Sequence, residues 1–166
     1  REDVEELVKD AVDKGARVII GGQRLDRPGW FYPPTLITGV RPDMRMYGEE
    51  VFGPVAALFR VPDLDAAIEL ANDTEFGLGS NIWSDDPAER ERFVRDVEAG
   101  MVFVNGMTTS YPEMPFGGVK SSGYGRELTE LGMREFMNIK SVWIGADSSA
   151  QSQDSTAAKT TAPKTE

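Results

Sequence analysis

Two adjacent carboxylates stand beside an aromatic side chain in residues 49–55, which read Glu-Glu-Val-Phe-Gly-Pro-Val. A carboxylate can accept hydrogen bonds from the two hydroxyls of a ribose, the device by which dinucleotide enzymes hold their cofactor. The ring of Phe52 could pack on a flat heterocycle beside it. Composition alone favours solvated surface charges for Glu49 and Glu50, because glutamate is seldom buried without a partner. Both interpretations stay open at this point.

A second candidate segment, residues 114–127, holds four glycines within nine residues. Glycine costs roughly 0.5–1 kcal/mol inside a helix or strand, so the cluster predicts a loop that needs positive φ angles or the close approach of another group. It is not a Walker phosphate loop, because Val119 separates Gly118 from Lys120, and the chain has no G-x-G-x-x-G fingerprint. The alternative is an ordinary exposed glycine-rich loop.

Composition excludes several classes of protein. The 166 residues correspond to one ordinary domain, and 18 basic against 28 acidic residues give a net charge of −10. Such a charge repels nucleic acids and anionic membranes, so we expect neither as a partner. The chain has no cysteine and no histidine, which excludes disulfides, a zinc or copper site of the usual kind and a Ser-His pair. No stretch approaches the ~20 apolar residues of a membrane span, and we expect a cytoplasmic protein.

Strand-like and helix-like segments alternate along the chain, which predicts an α/β fold with a largely parallel sheet. The predicted strands are residues 17–20, 31–37, 55–59, 80–83, 101–104 and 141–144. Pro33 and Pro34 make the second of these an edge strand or an extended loop. Predicted helices run up to Gly15, from the N-cap Asp63, from a first turn containing Pro87, and over residues 128–137.

Both candidate segments, taken together, resemble the C-terminal part of the aldehyde dehydrogenase family. The likeness runs over about residues 5–145 and rests on the first segment and on Pro-Phe-Gly-Gly-Val-Lys-Ser-Ser-Gly-Tyr-Gly-Arg-Glu at residues 115–127. It implies oxidation of a small-molecule aldehyde with NAD or NADP through a cysteine thiolate. It also implies that Glu50 binds the nicotinamide ribose, that Phe52 helps to hold the nicotinamide end, and that Phe116 lines the aldehyde tunnel.

Residues 105–116 are most similar to succinate-semialdehyde dehydrogenases within that family. Ser110 matches a serine that in those enzymes helps to bind the far carboxylate of the substrate, as a hydroxyl donor can. The alternative is a turn-forming serine close to Pro112.

In the family, the cysteine, the glutamate general base and most of the nucleotide-binding domain lie upstream of the matching segment. The chain begins with Arg1 inside a helical pattern that has no N-cap, so we expect the back portion of a longer protein. We predict a partial catalytic domain at residues 1–145 with no catalytic or metal-binding residue of its own, inactive when alone. The choice between NAD and NADP is made upstream of this segment.

Residues 146–166 carry no large apolar side chain, and we predict a disordered tail there. The resemblance further implies a homo-oligomer, with residues 141–144 in the assembly surface. An alternative from another class is a non-catalytic truncated paralogue that acts as an interaction or assembly module through an exposed sheet edge.

Overall fold

The computed structural model describes residues 1–145, so the tail predicted at residues 146–166 lies outside the described residues. The chain divides into a compact unit, Arg1–Glu135, and a second unit that begins at Phe136. In chain order the elements are α1 (Glu2–Asp13), β1 (Arg17–Ile20), β2 (Thr35–Thr38), α2 (Arg45–Gly48), β3 (Val55–Leu58), α3 (Leu64–Asn72), β4 (Phe76–Gly77), β5 (Gly79–Ile82), α4 (Pro87–Asp96), β6 (Met101–Val104), β7 (Val119–Lys120) and α5 (Thr129–Arg134). No helix in the described part is long and apolar enough to cross a bilayer.

The helix ends follow the local signals in the sequence. In α1 the buried side chains recur at the spacing of one helix face, as predicted: Val4, Leu7, Val8 and Ala11. Asp63 caps α3 by accepting a hydrogen bond from the Ala66 N–H at 2.9 Å, and Asp86 caps α4 with Pro87 in its first turn. The predicted helix over residues 128–137 is shorter, since α5 ends at Arg134.

Three strands form the first sheet, in the order β1-β2-β3, with β1 antiparallel and β3 parallel to β2. Of the two alternatives for residues 31–37, the edge strand was wrong, because β2 begins after the prolines and is the central strand, whereas residues 31–34 form a loop. Its first residue, Thr35, donates its N–H to the Pro54 carbonyl at 2.8 Å, a bond that a proline could not make. Ile37 is fully buried in the core beneath.

The α/β class is confirmed, and the two four-residue parallel pairings, β2 with β3 and β5 with β6, are the longest. The strands form three small sheets rather than one, because β4 and β7 pair separately and antiparallel over two residues. The strand predicted at residues 141–144 is absent from the described structure. Val142, Trp143 and Ile144 are 73%, 89% and 87% exposed, and no described segment pairs with them to make a strand.

Four glycines allow backbone segments in the second half of the unit to pack closely: Gly77, Gly100, Gly117 and Gly118. A methyl group added to Gly100 would collide with the Gly117 carbonyl and lie 2.7 Å from the Gly118 Cα. One added to Gly77 would lie 2.5 Å from the Glu98 carbonyl oxygen and 2.7 Å from Val119. The group that approaches this glycine-rich backbone is therefore the chain's own backbone.

We predict that Gly100→Ala destabilises the chain by about 1–3 kcal/mol, because two backbone segments must separate to admit the methyl group. Gly125→Ala, in the same glycine-rich segment, is the matched control, since nothing lies within 4 Å of the added methyl group. Its effect should stay within about 1 kcal/mol. Urea unfolding of both variants measures the difference, and equal stability would contradict the backbone contact.

Candidate active-site segment

Arg45 pairs with only one of the two adjacent glutamates. Its guanidinium donates two hydrogen bonds to Glu49, from Nε to Oε1 at 2.8 Å and from Nη2 to Oε2 at 2.9 Å. This forked pair lowers the pKa of Glu49. Glu50 is exposed and has no hydrogen bond or ion pair among the described residues. Of the two carboxylates, Glu50 is therefore the one left to accept hydrogen bonds from a ligand.

The backbone on the C-terminal side of Glu50 packs against the core and against α1. Val51 packs against the core, and Gly53 lies so close to α1 that an added methyl group would be 2.7 Å from a Val4 methyl. Phe52 lies between these two anchors and is 86% exposed. The segment thus presents Glu50 and Phe52 to solvent from a backbone packed on the core.

Helix α1 also fixes the start of α2, the four-residue helix that precedes this segment. The Asp10 carboxylate accepts a hydrogen bond from the Arg45 N–H at 2.9 Å and pairs with Lys14 at 2.9 Å. The hydrogen bond from Lys14, and then that from Arg45, lower the pKa of Asp10. The position of Arg45, and with it the pairing of Glu49, therefore depends on α1.

Two cations of the glycine-rich segment bond to the backbone. Lys120, which has a φ of 54°, donates from Nζ to the carbonyls of Asn72 and Thr74 at 2.8 and 3.0 Å, at the carboxyl end of α3. The Arg126 Nη1 lies within hydrogen-bonding distance of the Gly118 carbonyl, at 2.7 Å. Sequence reasoning missed both contacts. That of Lys120 joins segments that only the fold brings together, whereas that of Arg126 lies within the glycine-rich segment. These cations hold the loop.

Ser110 and Phe116 lie in the connection between β6 and β7. Ser110 is exposed, whereas Phe116 is half-buried and exchanges two backbone hydrogen bonds with Glu127, at 2.9 and 2.7 Å. Among the described residues, no hydrogen bond, ion pair or aromatic contact links these two residues to Glu50 or Phe52. In the described structure, the two pairs of residues are thus not joined by a direct bond.

The larger clefts formed by the described residues are open, and Glu50, Phe52, Ser110 and Phe116 do not line them. The open clefts of about 520 and 510 Å³ in the described part are lined by other residues, the first along α1 and β1 and the second along α2, β3 and α3. No group of three acidic side chains in the described part could hold a metal ion.

Comparison with curated proteins gives close relatives. The chain is 60% identical over 149 residues to a succinate-semialdehyde dehydrogenase [NADP(+)] of Mycobacterium avium, a match covering 90% of this chain and 32% of the relative. It is 62% identical over 144 residues to succinate-semialdehyde dehydrogenase [NADP(+)] 1 of Mycobacterium tuberculosis, covering 87% and 32%. The chain thus spans about a third of the length of these relatives.

Solved structures agree with this relationship. Succinic semialdehyde dehydrogenase from Streptococcus pyogenes, solved with NADP+ as the cofactor, matches with a TM-score of 0.81 and 43% identity over 87% of this chain and 32% of that one. An NAD-dependent aldehyde dehydrogenase from Sinorhizobium meliloti matches with a TM-score of 0.78 and 39% identity, covering 81% and 27%. The model of the aldehyde dehydrogenase family matches residues 1–142, and the chain therefore belongs to the aldehyde dehydrogenase family.

Proposed function

We propose that this chain is the C-terminal catalytic-domain segment of an NADP+-dependent succinate-semialdehyde dehydrogenase, which oxidises its aldehyde to the dicarboxylic acid. The names of the relatives at 60% and 62% identity support the substrate and the coenzyme. The observation that carries the proposal is the different environment of the two glutamates. The Glu49 carboxylate is hydrogen-bonded to Arg45, whereas Glu50 is exposed, close to Phe52, on a backbone packed against the core.

The chemistry of this pair fits a nicotinamide nucleotide. The Glu50 carboxylate offers acceptors for two ribose hydroxyls, and the exposed Phe52 ring offers an apolar face for a flat heterocycle. When bound, the nicotinamide accepts a hydride. Glu50 would orient the ribose, and Phe52 would keep water from the ring.

Ser110 and Phe116 would serve the substrate end. The Ser110 hydroxyl can donate a hydrogen bond to the far carboxylate of the substrate, and Phe116 would form an apolar wall that excludes water. The nucleophilic thiolate of the family must come from outside these 166 residues, which contain no cysteine. We therefore expect no turnover from this chain alone.

The described part of the second unit favours assembly as well. Its large apolar side chains are mostly solvent-exposed in this structure, namely Phe136, Met137, Ile139, Val142, Trp143 and Ile144. Such an apolar surface is typical of an interface, and we propose that it is covered in a homo-oligomer of a cytoplasmic enzyme. The same observation supports the alternative, a non-catalytic assembly module. A cysteine nucleophile elsewhere in the complete protein would decide for the enzyme.

In the complete enzyme that contains this segment, we predict that Glu50→Gln slows hydride transfer by about one to two decades. A charged hydrogen bond worth roughly 1.5–3 kcal/mol is lost and an amide donor faces the ribose hydroxyls. Glu49→Gln is the matched control, because its partner is Arg45, and hydride transfer should change little. Single-turnover absorbance of the reduced nicotinamide measures both. A normal rate in Glu50→Gln would return Glu50 to the solvated surface.

We predict that Ser110→Ala in the complete enzyme lowers kcat/KM for succinate semialdehyde by about tenfold, which corresponds to about 1.5 kcal/mol for a charge-assisted hydrogen bond. An uncharged aldehyde of similar length never makes this bond, so its kcat/KM should change little. Steady-state kinetics with both aldehydes separates the two effects. Equal losses would show that Ser110 maintains the shape of the loop and does not read the carboxylate.

A further inference from the structure

The loop that carries Ser110 is anchored on both sides of that residue. Two residues before it, the Thr108 hydroxyl donates a hydrogen bond to the Asn81 side-chain oxygen at 3.0 Å. Directly after it, the Tyr111 ring lies 6.4 Å from the Phe103 ring, centroid to centroid. Asn81 belongs to β5 and Phe103 to β6, so both anchors attach the loop to this strand pair.

The two anchor points share one face of that pair. Asn81 and Phe103 are register partners in the parallel pairing of β5 with β6, and side chains of paired positions lie on the same face. Gly79, two residues before Asn81, lies on that face as well. A methyl group added to Gly79 would be 2.8 Å from the Thr108 methyl carbon. The absent side chain at position 79 thus leaves the space that Thr108 fills.

The Thr108 hydroxyl makes the hydrogen bond that joins this loop to the strand pair. Between residues 106 and 115 of the described structure, no other side chain makes a hydrogen bond to a strand. The neighbouring Thr109 is exposed and makes no side-chain hydrogen bond in the described part. A donor that must meet a substrate carboxylate is effective only when its backbone is held in place. Thr108 can supply that constraint close to Ser110.

We propose that Thr108, through its hydrogen bond to Asn81, is a positioning residue that sets the specificity of this enzyme for an aldehyde bearing a distal carboxylate. The inference rests on the proposed function, and in particular on Ser110 as the donor to that carboxylate. Thr108 touches no substrate. It holds the loop on the β5–β6 face so that the Ser110 hydroxyl stays at a fixed position.

The test uses the complete enzyme with Thr108→Val, which keeps the branched shape and removes the hydroxyl. The loss of one neutral hydrogen bond should raise KM for succinate semialdehyde about three- to tenfold with kcat little changed. The kinetics of an uncharged aldehyde of similar length should stay within about twofold of the parent, within the usual scatter of such comparisons. Thr108→Ser, which keeps the hydroxyl, should restore the parent KM, and Thr109→Val is the matched control.

Asn81→Leu tests the same bond from its other side and replaces Thr108→Val if that variant does not fold. When both fold, the double variant should be no worse than either single one, because one shared bond is lost only once. The role of Thr108 is overturned if KM for succinate semialdehyde does not change, if both aldehydes lose equally, or if Thr108→Ser does not restore KM. If Ser110→Ala is selective while Thr108→Val is not, only the positioning role fails. If Ser110→Ala is itself unselective, the substrate assignment fails and the positioning role falls with it.

Discussion

The forked contact of Arg45 with Glu49 decides which carboxylate of the Glu-Glu pair is left for a ligand. Arg45 can make that contact because α1 holds the start of its helix through Asp10, and Val4 of α1 packs against Gly53 on the far side of the segment. A single helix therefore fixes both ends of the strip that presents Glu50 and Phe52. The exposed positions of Glu50 and Phe52 therefore depend on the apolar packing of their neighbours Val51 and Gly53.

In the glycine-rich segment, most of the distinctive residues make contacts within the protein. Its glycines allow backbone to pack on backbone, and Lys120 and Arg126 bond to carbonyl groups of the same unit. These residues could be mistaken for a phosphate-binding loop, since they combine cations with several glycines. In the structure they secure the connection between β6 and β7, and this connection carries Ser110 and Phe116. Of these two residues, Ser110 is exposed, and Phe116 is half-buried and bonded through its backbone to Glu127.

Much of the fold could be predicted from local signals. The apolar spacing of α1, the Asp63 cap and Pro87 in the first turn of α4 each act within one turn of helix, and the structure has all three. The pairing of β4 with β7 and the interlocked glycines are contacts between distant segments, which leave no periodic signal in a single sequence. The strand predicted at residues 141–144 was wrong, because an apolar run forms a strand only when another strand pairs with it.

For the site, the family resemblance selected Glu50, whereas composition favoured solvated charges for both glutamates. One signal in the sequence was missed. Arg45 and Glu49 are four residues apart, a spacing at which opposite charges can pair on one helical turn. On the short helix α2, that spacing places Glu49 within reach of Arg45.

The central claim is that Glu50, and not Glu49, binds the nicotinamide ribose, and the structure of the complete enzyme with NADP+ bound tests it most directly. We expect the Glu50 carboxylate oxygens to lie within about 2.5–3.0 Å of the nicotinamide ribose hydroxyls, the range of an O–H···O bond, with Glu49 still paired to Arg45. A ribose held by other residues, with Glu50 facing solvent, would contradict it.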